Sequence, residues 1–70
     1  MSLSHKAVMR IYGRAAENNI SAGKLADAAG ISRVTLSNWK RQRSTPMFEA
    51  YLAVEKALDD LIAAKAKDAV

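Results

Sequence analysis

The 70-residue sequence predicts an all-α fold of four helices. Alanine, leucine and lysine are abundant and β-branched residues few, a mixture that favours helix over strand. Apolar residues recur three and four positions apart, the period of one helical face. One proline and three glycines leave few places for turns. The length allows a single domain, residues 1–70, with a modest core. With no cysteine, neither a disulfide nor a thiolate metal site can staple it.

The first helix is expected from a cap at Ser4 to Asn18 or Asn19, with Val8, Ile11, Tyr12 and Ala15 on its apolar face. The two asparagines are poor helix formers and suit a stop. Ser21 caps a short second helix that turns Leu25, Ala26 and Ala29 inward. Gly30 ends it, because glycine reaches the left-handed conformation without steric penalty. Ile31 follows as an apolar plug, and Ser32 caps a third helix with Leu36 and Trp39 on its buried face. That helix must end before Pro46. Thr45 and Pro46 read as cap and first residue of a fourth helix, about 46–66, with Glu49 suited to its positive end. Met47, Tyr51, Val54, Leu58 and Leu61 form its stripe, widened early by Phe48 and Leu52, and Met47 and Tyr51 are expected in the core. Asp59 or Asp60 is the one place where a fifth helix could restart. The last few residues are expected to fray.

Charge is unevenly placed. No acidic residue lies between Asp27 and Glu49, yet that stretch holds Arg33, Lys40, Arg41 and Arg43. Outside these four, basic and acidic residues balance, so the whole net charge of +4 belongs to one segment. Such a patch attracts polyanions by steering and by counterion release. No apolar run approaches the ~20 residues of a membrane span. The N-terminus lacks the apolar stretch of a secretory signal, so a cytoplasmic protein is expected. No acid–base pair, metal cluster or phosphate loop is evident, so neither an enzyme nor a bound metal, cofactor or small-molecule ligand is expected. His5, the only histidine, has no ligand companions and is expected to be exposed.

The most informative pattern is a pair of short helices joined by a tight turn, over about 21–42. Ala26 must be small where the third helix crosses the second, and Gly30 turns the chain. Ile31, Leu36 and Trp39 anchor the third helix so that its opposite face projects outward. A helix presented in this way fits the major groove of duplex DNA.

Leu25-Ala26, Ala29-Gly30-Ile31-Ser32, Ser37-Asn38-Trp39 and Pro46, seven residues after the tryptophan, together resemble the phage Cro/repressor-type helix-turn-helix family. The resemblance runs from about Ile20 to Leu58 and implies a lambda-repressor-like domain with a long C-terminal helix. Two positions depart from the family pattern. Ala22 stands where a phosphate-binding glutamine is common, leaving Lys24 or Ser21 to make that contact. Gln42 stands where glycine is usual, which implies a longer third helix or a strained conformation at Gln42.

The family's geometry implies that Ser32, Arg33, Val34, Ser37, Asn38 and Arg41 face the bases. Arg33 suits guanine O6 and N7, Asn38 suits adenine, and Val34 suits a thymine methyl. Ser21, Lys24, Thr35, Lys40, Arg43, Ser44 and Thr45 are then the candidates for phosphate contact. The expected partner is double-stranded DNA, and the expected function is transcriptional regulation of phage or prophage type. A homodimer on a pseudo-palindromic site is the expected binding form. Val54, Leu58, Leu61 and Ile62 either form its interface or cover the chain's own core. The alternative from another class is a helical interaction module, such as an antitoxin or an assembly or DNA-packaging accessory protein.

Overall fold

The structure, a computed structural model, describes residues 3–68. Four helices follow in order: α1 (Leu3–Glu17), α2 (Ala22–Ala29), α3 (Arg33–Lys40) and α4 (Phe48–Asp68). No strand occurs among the described residues. Each helix contributes to one core, made of Val8, Ile11, Ala15, Ile20, Leu25, Ala26, Leu36, Trp39, Val54, Ala57 and Leu58. Tyr12, Ala29, Ile31, Tyr51, Leu61 and Ile62 pack around its edge, half-buried.

Serine caps start both short helices. Ser21 Oγ accepts from the Lys24 amide at 3.1 Å, and Ser32 Oγ accepts from the Thr35 amide at 3.0 Å. Each hydroxyl satisfies one of the four amides that a helix start leaves without an intrahelical partner.

The stops of α1, α2 and α3 share one construction. A left-handed residue follows each helix: Asn19 at φ 57°, Gly30 at φ 76° and Gln42 at φ 61°. The next amide then reaches back to the last turn. Ile20 N donates to Ala15 O at 2.8 Å, Ile31 N to Ala26 O at 3.0 Å, and Arg43 N to Asn38 O at 2.9 Å. This closure satisfies carbonyls that a helix end would otherwise strand. Gln42 thus takes the strained conformation, and α3 is not lengthened. At α1 the end is reinforced twice. Asn18 Nδ2 donates to Arg14 O at 2.8 Å, and Lys65 Nζ, arriving from α4, donates to the carbonyls of Asn18 and Asn19.

Several expectations are corrected. Ser4 lies inside α1, which already begins at Leu3. A helix start can leave its first amides to solvent, so α1 does not have to begin at a capping serine. α4 begins at Phe48, two residues after Pro46. Its first carbonyl acceptor is Met47 O, which receives Tyr51 N at 2.9 Å. Thr45 and Pro46 remain in the loop, lining a concavity with Trp39. Met47 is not core but 75% exposed, beside Phe48 at 76% and Leu52 at 44%. His5, expected to be exposed, is half-buried and lines that same concavity.

α4 is one continuous helix through Asp59 and Asp60, which pair at the surface with Arg14 and Lys56. It runs to Asp68, past the expected end near 66, and the fraying expected of the last residues concerns a stretch outside the described range. It packs chiefly against α2, and Val54 and Leu58 are fully closed off in the core. These two therefore cover the chain's own core and cannot serve a dimer interface, while Leu61 and Ile62 lie at its edge. No helix among the described residues is long and apolar enough to cross a membrane.

Candidate nucleic-acid interface

α3 has two faces with different chemistry. Leu36 and Trp39 are buried, and α3 packs against both α2 and α1. A rigidly held helix must present its remaining positions to solvent. Arg33 and Val34 in its first turn are exposed, Val34 at 68%. Ser37 and Asn38 are half-buried one turn on, and Arg41 is exposed at the end.

A shallow groove gathers this face. Its walls are Tyr12, Ala22, Arg33, Val34, Ser37, Asn38, Lys40, Arg41 and Arg43. Five of the six base-facing candidates meet there, together with Lys40 and Arg43 from the phosphate set. Four of the nine lining residues are cationic and none is acidic. The groove therefore suits a polyanion, while its polar and apolar side chains between the charges can report on what the polyanion carries.

Ser32 is not part of the groove lining. Its Oγ accepts from the Thr35 amide and lies 2.9 Å from Thr35 Oγ1. The two hydroxyls are engaged with each other and with the helix start. Ser21 is likewise engaged as the α2 cap, and Lys24 is exposed nearby on the same helix. Ser44 and Thr45 line a separate concavity with His5, Val8, Trp39, Gln42 and Pro46.

Tyr12 and Ala22 belong to the groove although neither was expected to face a ligand. Lys40 Nζ stands 4.9 Å from the centroid of the Tyr12 ring, a cation–π distance. Burial pushes the Tyr12 phenol up from its ordinary value, because desolvation disfavours the charged phenolate. The available signal was the ring's amphipathic character at the margin of an otherwise aliphatic stripe.

The helix-turn-helix family model matches residues 12–61. That span contains α2, α3, every residue of the groove and most of α4. No curated protein and no solved structure matches the chain.

Proposed function

From the premise that this chain belongs to the Cro/repressor-type helix-turn-helix family, whose members are DNA-binding regulators, we propose a sequence-specific transcriptional regulator of phage or prophage type. It reads the major groove of duplex DNA with the helix from Ser32 to about Arg41, in the cytoplasm where the genome lies. The observation that carries this reading is the acid-free groove along α3. Arg33, Val34, Ser37, Asn38 and Arg41 are its base-reading side chains. Lys40 and Arg43 hold the phosphates, with Lys24, Thr35 and the amides at the starts of α2 and α3 assisting.

A single helix reads few base pairs, so the protein acts as a two-fold dimer on a pseudo-palindromic site. With Val54 and Leu58 enclosed, the exposed patch of Met47, Phe48 and Leu52 supports a second copy of this chain docking there. The same patch would serve a helical interaction module, and DNA affinity separates the two readings.

Selection of bound duplexes from a random library, followed by a salt series on the winner, tests the proposal. Affinity should fall steeply with salt, by a slope of about −0.9 per neutralised phosphate. Arg43→Ala should weaken all sequences evenly and flatten the slope by about one. Arg33→Ala should instead relax preference at one base pair. A flat salt response, or no selected duplex, refutes DNA reading.

A further inference from the structure

Gly23 lies within α2 and outside the left-handed region, so its backbone does not require glycine. In an eight-residue helix, glycine is an unfavourable choice beside alanine. What the missing side chain provides is room. A methyl at Gly23 would stand 3.2 Å from Arg33 Nε, 3.3 Å from Cδ and 3.5 Å from Cζ. The first two are closer than ordinary van der Waals contact, so the Arg33 side chain lies directly along the bare backbone of α2. Ala22, also short, lines the groove beside it. An exposed arginine otherwise loses several rotatable bonds' worth of freedom when it engages a ligand, and a preformed path reduces that loss.

We propose that Gly23 is a positioning residue for base reading: by having no side chain, it seats Arg33 against the first turn of α2 and fixes the direction in which its guanidinium enters the groove. This rests on the assignment of Arg33 as a base reader made above. Alanine at position 23 would displace the arginine by a few tenths of an ångström, and leucine would occupy its path.

The test is a double-mutant cycle between position 23 and position 33, read on the selected duplex and on versions altered at each base pair. Gly23→Ala and Gly23→Leu should melt at or above the wild-type temperature, since both residues favour helix. In the free protein, the Arg33 Nε–H resonance should be ordered in the wild type and mobile in Gly23→Leu. Gly23→Leu should reduce discrimination at the Arg33 base pair by roughly tenfold, within the range one bidentate contact supplies, and Gly23→Ala by less. Discrimination elsewhere and the salt slope should be unchanged. In an Arg33→Ala background, Gly23→Leu should change nothing further.

If Arg33→Ala abolishes discrimination while Gly23→Leu preserves it, the positioning role is overturned and base reading by Arg33 stands. If Gly23→Leu weakens every sequence evenly, and does so equally without Arg33, the glycine serves clearance from DNA and the proposal is wrong. If Arg33→Ala itself leaves discrimination intact, both the base-reading assignment and this inference fall.

Discussion

Gln42 carries the left-handed stop of α3 at φ 61°, a conformation that crowds any residue with a Cβ. Its amide bonds Trp39 O at 3.2 Å and the next closes on Asn38, so the turn is held by its neighbours. Gln42→Gly removes the crowding and should raise stability by roughly 0.5–1 kcal/mol, after allowing for glycine's greater unfolded freedom. The melting temperature should rise several degrees, with the selected duplex bound as before. Gly30→Ala should do the reverse. Nothing lies within 4 Å of a Cβ at Gly30, so any loss there measures backbone strain and not a clash. Gly30 was legible because residue type and conformation coincide. Gln42 was legible only as a break in a family pattern, and the chain resolved it by strain. The cation–π neighbour of Tyr12 was not legible, since Lys40 lies on another helix and only the packed fold brings them together.

α3 begins with Arg33 and has no acidic residue in its first turn; nor has α2, against whose start Arg33 lies. A cation there opposes the positive end of both helix dipoles, an effect worth about 0.3–1 kcal/mol per helix end. Arg33→Glu should therefore make the free protein melt a few degrees higher while abolishing measurable duplex binding. A lower melting point would mean that Arg33 packing over Gly23 outweighs the dipole. The serine caps at Ser21 and Ser32 were readable because a cap acts within three residues of itself. The start of α4 was misplaced because proline at a helix start is permitted, not compelled. Pro46 stayed over the Trp39 concavity, and Met47 supplied the first carbonyl acceptor.

Which way α4 faces is decided at the scale of the whole molecule. Periodicity placed Met47, Val54 and Leu58 on one stripe, but only packing against α2 shows that the stripe's start overhangs into solvent while its middle is enclosed. Phe48→Glu tests that overhang. Phe48 is 76% exposed, so its loss should leave the melting of the monomer nearly unchanged. Two-fold symmetry would set each new charge beside its own copy in an apolar contact, so the variant should sediment as a folded monomer and bind a palindromic site much more weakly. Unaltered sedimentation and site affinity would place the dimer face elsewhere. Leu61→Glu is the contrasting control: Leu61 packs at the core edge, and a carboxylate there should lower helicity and melt early.

The packing of α4 onto α2 also orders events during synthesis. Leu25 and Ala26 of α2 share one buried core with Val54, Ala57 and Leu58 of α4, so that core is incomplete until α4 packs on α2. The 21 residues of α4 are made after α1, α2 and α3, over roughly 1–4 s at ordinary translation rates. Until they emerge, the chain has the basic segment but no rigid helix to present it. A chain that has not yet folded α4 onto α2 should therefore touch DNA only as a loose polycation, and sequence preference should begin once that packing is complete.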